Sequence, residues 1–202
     1  MDDLVLYGAS GHAKVVIECA LSMGIKIAGI FDDDREKIQL MDVQVIGSYK
    51  QNEFANLPMI ISIGDNKIRS RLAAEVSHKF ATVVHNSAIV SSTATIGLGS
   101  VVFQGAVIQA GSNIGNHVII NTSAVVDHDC IVEDFVHIAP NATVCGGVTI
   151  KKGAQVSAGA VIIPGVEIGE WAIVGAGSVI TKNVEDFSVV VGNEGRIIRY
   201  NN

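Results

Sequence analysis

Ile108-Gln109-Ala110-Gly111-Ser112-Asn113-Ile114-Gly115-Asn116-His117-Val118-Ile119-Ile120 carries an aliphatic residue at 108, 114 and 120. Four places after each comes a small or β-branched residue: Ser112, Val118 and Ala124. The same beat runs from Val84 to Ile180, with Val or Ile at seventeen consecutive sixth positions and no insertion. Three places after the aliphatic stands Gly at 99, 105, 111, 147, 153, 159, 165 and 177, or Asn at 141 and 183. A period of six with one large and one small inward side chain specifies a parallel β-helix, each repeat being one short strand and one corner. Gly and Asn tolerate positive φ, so their column marks the corners. Pro140-Asn141 and Pro164-Gly165 agree, since both pairs suit the centre of a type II turn. With three repeats to a circuit, residue n would lie beside n+18, about 4.8 Å along the axis.

Around this array the chain has 202 residues, 49% apolar and 17% charged, enough to bury a core without disulfides. Cys19, Cys130 and Cys145 are isolated and odd in number, with no zinc spacing, which suits a reducing compartment. The net charge of -6 argues against general nucleic-acid binding. Met1-Asp2-Asp3-Leu4 opens without a basic segment, and no apolar stretch reaches eighteen residues. The expectation is a soluble cytoplasmic protein with no membrane insertion.

Before the array the periodicity is different. Leu4 to Tyr7 reads as a buried strand, Gly8-Ala9-Ser10-Gly11-His12 as a turn, and Val15, Val16, Cys19, Ala20 and Met23 as a helix closed by Gly24. A strand over 25–31 ends in Asp32-Asp33-Asp34. A second strand, Met59 to Ile63, runs into Gly64-Asp65-Asn66, then a helix from Lys67 to about His78 with Ile68, Leu72 and Val76 on one face, N-capped by Asp65 or Asn66. This is the opening of a nucleotide-binding α/β unit, whose loops meet ligands at the carboxyl edge of the sheet. The expected boundaries are 1–81 for that domain, 82–185 for the β-helix and 186–202 for a tail covering the last coil.

Within the array the corner column loses its glycines at His117, Ser123, Asp129 and Phe135. A stretch that breaks its local rule while keeping its core column is where function concentrates. Asp127-His128-Asp129 lies there. Val126 and Cys130 point inward by register, so His128 and Asp129 project from a corner. Ala110 and Gly146 flank His128 one coil away on either side, which predicts an open shelf beside the imidazole.

The order Tyr-Gly-Ala-Ser-Gly-His, Phe-Asp-Asp, Ile-Gly-Asp-Asn-Lys-Ile-Arg, Val-His-Asn-Ser-Ala, the hexapeptide array and Asn-Thr-Ser-Ala-Val-Val-Asp-His-Asp-Cys resembles the sugar O-acyltransferase family. That family holds sialic acid O-acetyltransferases and N-acetyltransferases of UDP-4-amino-4,6-dideoxy sugars, and the likeness covers essentially the whole chain. It implies an α/β N-terminal domain with a small parallel sheet, followed by a left-handed, three-sided parallel β-helix. It also implies a homotrimer with sites at subunit interfaces, a nucleotide-linked amino sugar as acceptor, and acetyl-CoA as donor with no metal. Carried over by position, His128 matches the base, Asp129 the carboxylate that orients it, and Asn121 a polar residue of the site. His137 matches a contact to acetyl-CoA, which would run along the β-helix past Gly146, Ala158 and Ala176. Ser10, Gly11 and His12 match the nucleotide loop, Asp32 and Asp33 the uracil contact, and Gly64 the second loop. Asn193-Glu194-Gly195 and Ala13 depart from the family pattern.

An amine attacking a thioester must lose a proton, and an imidazole is suited to take it near neutral pH. Asp127 competes with Asp129 as orienter. The alternatives are O-acetylation of a sugar hydroxyl, transfer of a longer acyl chain, a metal hydratase on the same solenoid, and a non-catalytic nucleotide-sugar scaffold.

Overall fold

The computed structural model describes residues 3–201. Met1, Asp2 and Asn202, which belong to the expectations about the start and the tail, lie outside the described residues. The first elements are β1 (Asp3–Tyr7), α1 (Gly11–Ser22), β2 (Lys26–Phe31), a small hairpin of β3 (Gln39–Leu40) and β4 (Val43–Gln44), β5 (Met59–Ile61) and α2 (Asn66–Glu75). β2, β1 and β5 form a parallel three-stranded sheet in that order, so the loops after all three strands open on one edge. Two expectations shift here. The second helix ends at Glu75, and Ile68 is exposed while Asn66, Arg69 and Leu72 are its buried face. Asp65 is the N-cap, its carboxylate accepting from the Ile68 N–H at 2.8 Å.

From Val83 the chain becomes a solenoid of seventeen two-residue strands, β6 (Val83–Val84) to β22 (Val179–Ile180). They stack in three parallel sheets, and each residue pairs with the one eighteen later, as Val107 with Val125 and Ile108 with Val126. The first face starts at β6, the second at β7 (Ile89–Val90) and the third at β8 (Thr95–Ile96). The second residue of each strand points inward, and from Val102 to Ile180 this column is sealed from solvent. Full burial contributes roughly 1.5–3 kcal/mol per Val or Ile side chain before chain entropy is subtracted. That gain outweighs the corner strain: His117, Ser123, Asp129, Phe135, Asn141 and Trp171 all hold φ between 53° and 62°, at about 1–2 kcal/mol for each ordinary L-residue. Asn183 does not continue the column; Phe187 takes the next left-handed position.

The N-terminal sheet and helix pack on the first face. Val83, Val101 and Ile119, which point outward from that face, are buried with Phe103 against Leu6, Val16, Ile17 and Ala20. After Val184 the chain adds β23 (Ser188–Val191) parallel to β21 (Ile173–Val174), then turns back as β24 (Arg196–Tyr200) along the outer edge. Val184 and Val190 join the solenoid core, whereas β24 is exposed throughout.

Candidate functional site

His128 stands on the corner between the second and third faces, and its side chain is 61% exposed. Val126 and Cys130 on either side are inward and fully buried, so the backbone has no freedom to turn the ring elsewhere. Asp129 Oδ2 lies 2.9 Å from His128 Nδ1, and Asp127 Oδ1 accepts the His128 backbone N–H at 2.8 Å. The two carboxylates therefore divide the work: Asp129 fixes the ring, Asp127 the backbone beneath it. With Nδ1 engaged, Nε2 has no hydrogen-bond partner among the described residues and keeps its lone pair. The Asp129 hydrogen bond first, and the charge of Asp127 second, hold the His128 pKa above the usual imidazole value.

The flanking glycines do more than the sequence predicts. A Cβ on Gly146 would sit 2.6 Å from His128 Cε1 and Nε2, and one on Gly111 would sit 2.5 Å from Asp129 Oδ1. The expected open shelf over Gly146 is thus filled by the imidazole itself, and His128 and Asp129 each lie on a glycine of an adjacent coil. Cys145 and Cys130 sit nearby; the Cys130 thiol donates to the Cys145 carbonyl at 3.2 Å, and burial raises both thiols, so neither is a poised nucleophile.

At the open edge of the N-terminal sheet, Ser10 caps α1 without a side-chain hydrogen bond, leaving the first amides of the helix, from Gly11 onward, free. Asp32 is not a free contact. Its carboxylate accepts from Ala9 N–H at 2.6 Å and Asp34 N–H at 2.9 Å and pairs with Lys37 at 3.1 Å, which anchors the loop. Asp33 is exposed, its Oδ2 accepting from the Tyr7 hydroxyl at 3.1 Å. His12 packs edge-on to Phe103 with ring centroids 5.4 Å apart and 6.4 Å from His137. Burial, aided by the Arg69 cation, lowers His12 to about 4.

His137 lies on the first face, beneath this domain. Asn121 Nδ2 is 3.0 Å from its Nε2, and the Gly64 backbone contacts the same ring. Burial lowers it to about 3, with Arg69 and His12 adding to the effect. Both rings are neutral at physiological pH. Ala158 and Ala176 are exposed on the corner between the first and second faces, the corner that Asn121 opens. His128 and the group of Asn121, His137, Ala158 and Ala176 therefore sit at the two edges of the second face, apart within one chain. That face is apolar on its outside: Ile89 is 67% exposed, and Val107, Val125, Val161 and Val179 are half-buried. Sequence reasoning gave no role to Arg69, which is 1% exposed; its signal was its place at the end of the Ile-Gly-Asp-Asn-Lys-Ile-Arg run. Among the described residues no group of three or more His, Cys, Asp or Glu side chains is placed to hold a metal ion, and no helix is long and apolar enough to cross a membrane.

Residues 3–76 match the PglD N-terminal domain, and residues 147–182 match the bacterial transferase hexapeptide (six repeats). The chain is 37% identical over 110 residues to the UDP-N-acetylbacillosamine N-acetyltransferase of Bacillus subtilis, a match covering 50% of this chain and 51% of that protein. The match thus spans about half the length of that relative, and only 19% of an uncharacterized mimivirus protein that is 33% identical over 94 residues. Among solved structures, PerB from Caulobacter crescentus in complex with CoA and GDP-perosamine superimposes with a TM-score of 0.92 at 36% identity, covering 98% of this chain and 97% of that one. The acetyltransferase domain of PglB from Neisseria gonorrhoeae with acetyl coenzyme A gives 0.87 at 36% identity, covering 97% and 98%.

Proposed function

This chain belongs to the sugar N-acetyltransferases that join a PglD N-terminal domain to a left-handed β-helix of hexapeptide repeats, and from that premise we propose that it acetylates the amino group of a nucleotide-linked 4-amino-4,6-dideoxy sugar. Acetyl-CoA is the donor. The observation that carries the reading is the His128–Asp129 pair: an exposed imidazole, fixed through Nδ1 at 2.9 Å, with Nε2 presented to an incoming nucleophile.

The sugar amine attacks the thioester carbonyl, and His128 Nε2 takes the proton that the nitrogen sheds as the tetrahedral intermediate forms. Collapse expels the CoA thiolate, which receives that proton, so amide and free thiol leave together. Asp129 holds the tautomer and stabilises the transient imidazolium. No protein nucleophile is required. The nucleotide sits on the carboxyl edge of the N-terminal sheet, with the free amides from Gly11 onward facing its phosphates, Ser10, His12 and Gly64 lining the loop and Asp33 available to the base. Asp32 serves by shaping the loop.

The working molecule is a cytoplasmic homotrimer associated through the second face. Three-fold packing of that apolar face brings the His128 edge of one copy to the Asn121, His137, Ala158 and Ala176 edge of the next, which completes a site that one chain holds in halves. Acetyl-CoA lies between the two edges. Residues 1–81, 82–185 and 186–202 divide the labour as nucleotide domain, acyl-transfer solenoid and cap. Thiol release from acetyl-CoA, measured against a panel of UDP- and GDP-linked 4-amino sugars, tests the assignment. At least one amino sugar should be turned over. His128→Ala should lower kcat at least 100-fold while leaving the far-UV spectrum unchanged; near-normal turnover would remove His128 as the base.

A further inference from the structure

The corner between the third and first faces carries a row of left-handed residues, one per coil: His117, Phe135 and Gly153, at φ of 54°, 62° and 68°. The coil-to-coil ladder there runs from Phe135 N–H to the Asn116 carbonyl and from Gly153 N–H to the Asp134 carbonyl. The carbonyls of the left-handed residues themselves are left over, and α2 takes them. Arg69 Nε donates to His117 O at 2.9 Å and Nη2 to Phe135 O at 2.9 Å. Asn66 Nδ2 donates to Gly153 O at 3.1 Å, and its Oδ1 accepts from Arg69 Nη2 at 2.7 Å. Two side chains of one helix thus register on three successive coils.

The other end of the guanidinium holds the loop after β5. Nη1 donates to Ile63 O at 3.0 Å and Gly64 O at 3.2 Å. Gly64 lies against the His12 ring on one side and contacts His137 on the other. All five N–H groups of Arg69 are satisfied, all by neutral acceptors, and no described carboxylate pairs with it. A buried cation without a counter-ion is a poor way to gain stability, since desolvation opposes it. A planar fork with five fixed donors is a good way to set geometry, and a lysine could not reproduce it.

We propose that Arg69, seconded by Asn66, is a positioning residue for the acyl transfer: it gauges the nucleotide-sugar loop against the solenoid and so fixes where the sugar amine arrives. The inference rests on the function proposed above. It assigns Arg69 no contact with either substrate.

Arg69→Lys and Arg69→Met, assayed by thiol release with each substrate varied in turn, provide the test. The nucleotide amino sugar should show a KM raised at least tenfold, while the KM for acetyl-CoA moves less than twofold. The trimer should persist by light scattering, and Lys should not rescue. Both KM values within twofold of wild type, or equal losses for both substrates, would overturn the proposal. If Arg69→Met does not fold, Asn66→Ala removes the contacts to Gly153 and Ala154 and one acceptor of Arg69 Nη2 while keeping the guanidinium, and should raise the same KM at least threefold; an unchanged KM would count against the proposal. Wild-type protein that turns over none of the amino sugars would refute the functional reading instead. Amide exchange over Ile63–Asp65 then tests the hold of Arg69 on that loop: faster exchange in Arg69→Met than in wild type supports it, and an unchanged rate overturns it.

Discussion

The proposed base, His128, can work only when unprotonated, and its pKa is raised by Asp129 first and Asp127 second above the usual 6.5. The sign follows directly: kcat should fall as pH drops through a midpoint above 6.5. In Asp129→Asn the hydrogen-bonding charge is gone, so the midpoint should move down even as the maximal rate declines. A profile unmoved by that change would assign the limb to another group. His12 and His137 cannot supply it, because burial keeps them neutral down to about 4 and about 3. Gly146 is the second determinant at this scale. In Gly146→Ala the new methyl would meet the imidazole at 2.6 Å, and the exposed ring yields before the backbone does. We expect at least a tenfold loss of kcat with little change in melting temperature; full activity would show that the ring position is not critical. The role of Asp129 could be proposed from its neighbourhood in sequence, but the choice between Asp127 and Asp129 needed side-chain torsions. The filling of the Gly146 shelf needed them too, since spacing gives the neighbour and not the volume left beside it.

At the scale of elements, the α/β unit and the first face share one apolar layer in which polar rings are trapped. His12 and His137 fold into surroundings that favour their neutral forms, burial being the larger cause and Arg69 the next. The unfolded chain therefore binds more protons than the folded one between their ordinary and folded pKa values. The stability they allow is fully present above about 6.5, the unfolded imidazole pKa, and is lost progressively as pH falls toward about 4. Urea melts monitored in the N-terminal domain at pH 7.5 and 5 should show this loss, and His12→Phe should weaken the pH dependence. Helix α2 shows why such an interface is hard to foresee. Its apolar spacing points to Ile68, Leu72 and Val76, yet the residues it buries are Asn66 and Arg69, which reach the solenoid, and Leu72, which packs on the sheet.

For the whole molecule, the decisive feature is the second face. Its outer row of Ile89, Val107, Val125, Thr143, Val161 and Val179 is exposed or half-buried in one chain and would be covered in the proposed trimer, and it separates His128 from Asn121 and His137. Val125→Glu places a charge at the middle of that row without touching the inward column. It should give monomers by light scattering, a spectrum still rich in β-structure and a loss of turnover of at least 100-fold. An active monomer would show that one chain holds a complete site.

The period of six, fixed by covalent spacing, was enough to define the repeat, its corner column as far as Gly177 and the inward or outward sense of its residues, while the three-sided section and its eighteen-residue register came with the family resemblance. The repeat, its corners and that sense follow from local sterics and burial, which repeat with the sequence. What only the tertiary structure decided were the relations between segments far apart in the chain: the seat of His128 on Gly146, the commitment of Asp32 to its own loop, and the grip of Arg69 on His117 and Phe135. Those depend on shape and unpaired hydrogen-bonding groups that exist only after the coils have stacked.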